Sequence, residues 1–572
     1  MPIHLLIDPA GSGGIHRILD IFKRFTPTEH QSTARLIVPS VSRVIRLRKL
    51  LLADPGFPGI FGDPICTLTR FASEVCPDAS ELVTDAQRQL ILREMVQSAP
   101  VGCFDEVRRT PGFPPELAGA IRMLSESGMT ANDLSRGVDD CRGSLREYAV
   151  RRLLSLADLC RAYENALRER NLAEPEGLIR HAVEALSADP SPLQALKCVM
   201  IDGFFDFSPA QRELIRLIGE HCPEVIVTAE DGAQFPDAFQ EPLHQAPVHP
   251  ARHLFIAADP RMEVEMTARE IRRLVREGFR HSDIAIVIRS MRDHRRISGI
   301  MKEYRIPVSD EIHLLSQSAL AQRVLDHDED LGSVQALLRE TPLPDDEDQL
   351  REHCAAWKSI LRIMDGIPAD GQVFRDLLRS GTYRLPGELP GGVSLTTAGA
   401  LDGRKYRAVF VHDFADGVFP RRVDDDPFIS DQERRILNAY LPHPLPTIAD
   451  AESRERRLFQ RAVGSAQDRL YLCRTTHDEP SPYLEDMSAI DCTALSPGDI
   501  LPPIAQAETP RELVARAILD LCTSVEPIAA ETYNRLLDAG LVGADTFARL
   551  GKDYAEFIPA HLRLLAEESG EE

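Results

Sequence analysis

"IHLLIDPAGSGGIHRILDIF", residues 3–22, reads as a strand, a glycine-rich turn and a helix. The run "IHLLI" suits a buried strand, and the apolar spacing after Gly14 suits a helix. Between them "PAGSGG" (9–14) stands where a phosphate-binding loop belongs. Such a loop reads G-x-x-x-x-G-K-[ST], the lysine neutralising phosphate charge and the hydroxyl holding magnesium. Here Gly14 occupies the lysine position and Ile15 the hydroxyl position, and neither can do that work. Gly11, Ser12 and Gly13, leading into Gly14, retain only backbone N–H groups that an anion at a helix N-terminus could use. The plainer reading is a glycine turn from strand to helix.

Strands alternating with helices continue outward from this unit. "STARLIVPS" (32–40) and "PICTLTRFASEV" (64–75) extend the strand pattern, which predicts a parallel sheet with crossover helices. From residue 84 to about 193 the texture becomes helical, as in "LREYAVRRLLSLADLCRAYENALRERN" (145–171). The sheet pattern resumes at "LKCVMIDGFFDFSPAQRELIRLIGEHCPEVIVTAE" (196–230), and a second such unit opens at 264–290. An acidic region (326–348) and further helical sequence precede strand signals at 391–400, 406–414 and 468–476. The expected fold is α/β: two parallel-sheet domains, each with a helical insertion, plus a helical C-terminal tail. The expected boundaries are 1–83 with 194–250 and 251–310 with 390–490 for the sheet domains. The insertions are expected at 84–193 and 311–389, and the tail at 491–572.

The chain has 572 residues, too many for one hydrophobic core. Its 66 basic and 89 acidic side chains leave a net charge of -23, which opposes non-specific binding to nucleic acid or an anionic membrane over most of the surface. The 11 cysteines form no C-x-x-C pair and no H-E-x-x-H occurs, so no metal or cofactor is expected. The N-terminus lacks the features of a signal peptide, and no apolar stretch reaches the ~20 residues needed to span a bilayer. A reduced, cytoplasmic protein is the expectation, with no membrane partner.

This layout resembles the superfamily 1 DNA helicases of the UvrD type, whose sheet domains are RecA-like. "PAGSGG" stands at the first helicase motif, "ARLIVPS" at motif Ia, "VMIDGFFDFSPAQ" at motif II and "DIAIVIRS" near motif IV. "VSLTTAGALDGRKYRAVFVHDFADGVFP" resembles motif V, and "ESRERRLFQRAVGSAQDRLYL" resembles motif VI. Six pieces in order over residues 1–476 carry the resemblance. "IDGF" with "FSP" and the later "PSPYLEDM" are closest to AddB, the helicase-like subunit of the AddAB helicase–nuclease.

The resemblance implies which groups an ATP-driven motor would need. Asp202 keeps the magnesium-binding carboxylate of motif II, but Gly203 stands where the family has its water-positioning glutamate. The motif VI arginine falls on Ser465, and the histidine, lysine and glutamate of motif V fall on Gly399, Asp402 and Lys405. Four independent parts missing together predict no ATP hydrolysis and hence no enzyme. Without a neighbouring lysine, Asp202 and Asp206 are expected to cap the following loop rather than bind a cation. The family's nuclease is also expected to be absent, since residues 491–572 hold no D/E-x-K triplet and only Cys492 and Cys522.

Two basic stretches are the DNA-contact candidates. In "RVIRLRK" (43–49), Arg43, Arg46 and Lys49 repeat at helical spacing, a pattern that can track a phosphate backbone. Residues 269–296 hold nine arginines against four acids, with Arg289, Arg292, Arg295 and Arg296 just after the motif IV strand. The alternative for both is a solvated helix face paired with nearby acids. Phe204, Phe205 and Phe207 could stack on bases, but beside a buried strand they read first as core. The expected function is a non-hydrolysing AddB-like subunit in DNA repair. It would steer single-stranded DNA and scaffold a helicase or nuclease partner of AddA type. An acidic adaptor with no DNA contact is the alternative.

Overall fold

The computed structural model describes residues 3–494 except 8–13, 26–32, 58, 61, 77–80, 99–100, 111, 230–234, 236–237, 243–249, 311–312, 327–333, 335–336, 338, 345, 366–370, 384–390, 402 and 488–489. After 494 it describes 503, 507, 509, 512–514, 516 and 535. The first sheet uses β1 (His4–Ile7), β2 (Ala34–Val38) and β3 (Ile65–Thr67). A small parallel pair, β4 (Glu81–Leu82) with β5 (Leu172–Ala173), then closes off a helical insertion. The chain returns to the first sheet with β6 (Cys198–Ile201), β7 (Glu224–Ala229) and β8 (Phe239–Pro242). All neighbours pair in parallel, in the order β3-β2-β6-β7-β1-β8.

The second sheet begins with β9 (Ala251–Ala257), β10 (Ile284–Ile288) and β11 (Val308–Asp310). An antiparallel pair, β12 (His313–Leu314) with β13 (Thr382–Tyr383), closes a second helical excursion. The sheet is completed by β14 (Val393–Thr397), β15 (Tyr406–Val411), β16 (Ala466–Thr475) and β17 (Ile490–Ala494). Its order, β11-β14-β10-β15-β16-β9-β17, is again parallel throughout. The α/β class expected from the sequence is thus present twice. Central strands such as β6 and β10 are buried at every residue, as a parallel sheet covered by helices on both faces requires. Ile490–Ala494 departs from the expected helical tail: it pairs with β9 as an edge strand.

Helix ends follow local chemistry. Ser40 caps the helix Val41–Leu52, and Ser208 with Gln211 forms a capping box on Pro209–His221. Thr447 with Asp450 does the same for Ile448–Gly464. These caps fix where each helix leaves the carboxyl edge of its sheet, the edge at which ligands of such folds bind.

The lobes share a core. Phe428, Ile429, Leu437 and Leu445, from the chain between β15 and Ile448–Gly464, pack into the helical insertion that follows β4. Phe428 sits 5.1 Å from Phe104 and 5.5 Å from Phe113, ring centre to ring centre. Arg152 in the insertion donates to Glu433 at 2.6 Å.

Candidate nucleotide cleft and lobe interface

The carboxyl edge of the first sheet brings the motif II residues together. Gly14 opens the helix Gly14–Phe25, while Gly11, Ser12 and Gly13 lie outside the described residues. Asp202 follows β6, and its backbone N–H donates to Ile37 O of β2 at 3.0 Å. The helix after β2 therefore starts beside it, and Arg43 reaches across to form a buried ion pair with Asp202 Oδ2. The other carboxylate oxygen accepts from the Thr228 hydroxyl of β7 at 2.8 Å. Both oxygens that would face a cation are thus engaged by the chain itself.

Gly203 completes the arrangement. It has φ +83°, and a Cβ there would lie 2.4 Å from Arg43 Cζ and 2.5 Å from Arg43 Nε. Its N–H donates to Thr228 Oγ1 at 3.1 Å. A side chain at this position would have to displace the guanidinium. Gly203 and Arg43 are therefore one structural fact, although they are 160 residues apart in the numbering (203 less 43).

This corrects two expectations. Arg43 does not join Arg46 and Lys49 on a DNA-tracking face, because the helix phase that buries Val44 and Leu47 also turns Arg43 inward. Arg46 is half-buried and Lys49 exposed. The loop acids are not simple caps either. Asp206 Oδ1 accepts from Phe207 N–H at 2.9 Å, but Oδ2 accepts from Arg457 of the other lobe at 2.8 Å. The sequence shows no basic neighbour beside these acids because both arginines arrive from distant elements.

The lobe interface is built on this loop. Arg461, one turn beyond Arg457 on Ile448–Gly464, donates to Gly203 O at 3.1 Å. Both guanidinium groups lie over the Phe205 ring, at 5.5 Å and 5.4 Å from its centre. Phe205 itself packs against the core of the second lobe, while Phe207 is buried in the first. On the second lobe Arg289, after β10, donates to Glu455 at 3.0 Å and makes a second contact with the same carboxylate. Arg289 is thereby drawn from the expected DNA face into the interface. Arg292 lies in the turn Met291–Asp293, Arg295 is exposed, and Arg296 lies 3.1 Å from Asp293. Ser465 caps the end of Ile448–Gly464, with its hydroxyl donating to Ala462 O at 2.6 Å. Lys405 donates to Gly464 O, and Asp402 lies outside the described residues.

Sequence reasoning missed Thr228, Glu455, Arg457 and Arg461. Only the last two leave a local trace, as an i, i+4 pair on one helix face in "ESRERRLFQRAV".

Residues 5–268 match the family described as ADDB, N-terminal. That stretch belongs to the AddB N-terminal family. Among curated relatives, an AddB-type ATP-dependent helicase/deoxyribonuclease subunit from Geobacillus kaustophilus is 23% identical over 377 residues, covering 54% of this chain and 32% of its own length. The protein of the same name from Moorella thermoacetica is 24% identical over 377 residues, with the same coverage. The match thus spans about a third of those AddB-type relatives. The solved structure of S. tokodaii Xpd4 covers 86% of this chain and 96% of its own, at 10% identity and a TM-score of 0.31, too loose a likeness to carry an argument. The relatives' names overturn the expectation that the chain is not an enzyme. They are subunits of an ATP-dependent helicase/deoxyribonuclease, so a chain with an AddB N-terminal region is grouped with parts of an enzyme complex. Among the described residues, no helix is long and apolar enough to cross a membrane.

Proposed function

We propose that the chain is an AddB-like subunit of a DNA-processing helicase–nuclease complex. In it the two lobes form a fixed body that steers a single strand and seats a partner subunit of AddA-like helicase or nuclease type. The observation that carries this reading is the lobe interface itself. Phe205 and Asp206 of the first lobe are gripped by Arg457 and Arg461 of the second with protein groups alone. A body held this way keeps one cleft geometry and presents a constant surface.

The helix Val41–Leu52 supports the partner role. Its Val41, Ile45 and Leu52 are 56%, 50% and 61% exposed, at spacings that put them near one face. Exposed Lys49 on the same helix and Arg295 beyond β10 remain as strand-contact candidates. The acidic adaptor reading is favoured by the net charge of -23 and by the use of Arg43 and Arg289 inside the fold.

Fluorescence anisotropy with labelled single-stranded oligonucleotides separates the two readings. Strand steering requires binding that weakens with salt and falls at least several-fold in Lys49→Glu/Arg295→Glu. Affinity capture with the wild type and Ile45→Glu tests the partner face: a helicase or nuclease subunit should be retained by the first and lost from the second. Salt-insensitive or absent DNA binding leaves the adaptor reading.

A further inference from the structure

A second polar cluster lies in the second lobe, separate from the motif II loop. Glu263 on the helix Pro260–Arg276, His412 at the end of β15 and Cys473 on β16 are all fully buried. One donor atom from each lies within 4.8 Å of the other two. Three different metal-ligating side chains meet here in a dry core, where isolated polar groups are costly.

Their hydrogen bonding is incomplete in a specific way. His412 Nε2 lies 3.0 Å from the Thr267 hydroxyl, which itself donates to Glu263 O at 3.1 Å. With its proton committed there, the hydroxyl accepts from Nε2–H, and the neutral imidazole keeps a lone pair on Nδ1. That Nδ1 faces Glu263 Oε1 at 3.0 Å without an aligned hydrogen bond, and Glu263 Oε2 also has no partner. Glu263 Oε1 is oriented by the Asp413 N–H at 2.9 Å. Two lone-pair-bearing atoms facing each other in a dry pocket repel unless a positive charge lies between them. An anchored carboxylate and an imidazole whose far N–H is held by a hydroxyl form the support pattern of a metal site.

We infer that Glu263, His412 and Cys473 hold a structural divalent metal ion of the zinc type. The mixture of carboxylate, imidazole and thiol is a zinc donor set. On binding, the Cys473 thiol gives its proton to solvent, and the sulfur forms the metal bond as thiolate. The two positive charges are then matched by one thiolate and one carboxylate, so the buried site carries no net charge. Burial holds the free thiol well above its ordinary range, so metal and proton compete for that sulfur. Zinc bonds of about 2.0–2.3 Å give donor separations of about 3.3–3.7 Å, so the side chains draw in by about 1 Å. The site ties helix Pro260–Arg276 to β15 and β16, at the end of β15 from which the chain runs toward the shared core with the insertion.

The test is metal content. Tag-free full chain, produced with zinc and passed over chelating resin, should carry about one zinc per chain by elemental mass spectrometry. Production with cobalt should give thiolate-to-cobalt charge-transfer absorption. Cys473→Ser should lose that absorption, and Thr267→Val, which keeps all three ligands, should weaken zinc retention about 10–100-fold. If Cys473→Ser does not fold, the cobalt spectrum of the wild type together with Thr267→Val decides. A wild type holding only a trace of zinc and showing no thiolate–cobalt band overturns the inference and leaves Glu263–His412 as a buried ion pair. A cobalt band unchanged in Cys473→Ser overturns it equally.

Discussion

Arg43 and Asp202, 159 residues apart, form a buried ion pair at the carboxyl edge of the first sheet. Asp202 ends the central strand β6, while Arg43 belongs to the first turn of the helix after β2, and only the sheet order makes them neighbours. The pair occupies the position where the resemblance implies a metal-binding carboxylate. Removing one partner strands the other's charge in a dry environment, which costs about 3–5 kcal/mol. Arg43→Ala is expected to lower unfolding stability by that amount, with Arg43→Met/Asp202→Leu recovering most of it. Urea denaturation of the three proteins checks this; an unchanged midpoint for Arg43→Ala would contradict the burial of the pair.

Gly203 depends on the same pair. With φ +83° and a would-be Cβ 2.4 Å from Arg43 Cζ, Gly203→Ala adds backbone strain and a clash. A loss of about 1–3 kcal/mol is expected. In Arg43→Ala the clash disappears and only the strain remains, so the two substitutions should be non-additive by more than about 0.5 kcal/mol. A double-mutant cycle reads the coupling directly, and strict additivity would count against the contact.

Phe428 joins the lobes. Phe428→Ala empties a site shared with Phe104 and Phe113 and is expected to cost about 3–5 kcal/mol. Because the ring comes from the second lobe, hydrogen exchange should rise in the insertion helices Phe113–Glu126 and Glu147–Glu169, far from the substitution in sequence. Exchange confined to the residues around 428 would mean that the lobes do not share a core.

Acid should loosen the insertion through Glu174. Burial pushes this carboxyl up, but the Arg88 guanidinium, which donates to it at 2.7 Å and 3.0 Å, and the Tyr163 hydroxyl outweigh that and hold it below its ordinary range. A carboxyl lowered by folding contributes stability above its unfolded value of about 4.3, and the contribution is lost as pH falls through that value and below. Glu176 is raised by burial and acts with the opposite sign over the same range. The difference between wild type and Glu174→Gln isolates the first residue. The variant is expected to be about 1–3 kcal/mol less stable at pH 7, with the gap closing toward pH 3. A gap independent of pH would rule out the charge as its source.

Local pattern carried the fold class into plain view. Continuous apolar runs such as "AIVI" in β10 and "VMI" in β6 report strands covered on both faces, and "FSPAQ" reports a capped helix start. The edge strand Ile490–Ala494 was hidden among helical signals because a short strand with one neighbour needs little apolar sequence. Arg43 looked like one member of a basic stripe, since spacing reveals a helix face but not which neighbour will cover it.

What the chain determined by itself was the alternation of strands and helices, the order of the motifs, and the absence of lysine and hydroxyl at Gly14 and Ile15. Those are properties of adjacent residues, written in periodicity and side-chain type. Tertiary structure alone decided that Arg43 would neutralise Asp202, that Arg457 and Arg461 would grip the loop around Phe205, and that Glu263, His412 and Cys473 would meet. The physical reason is the parallel sheet: each crossover places consecutive strands side by side or several positions apart, so groups far apart in the chain converge at one sheet edge. No spacing along the sequence records that convergence.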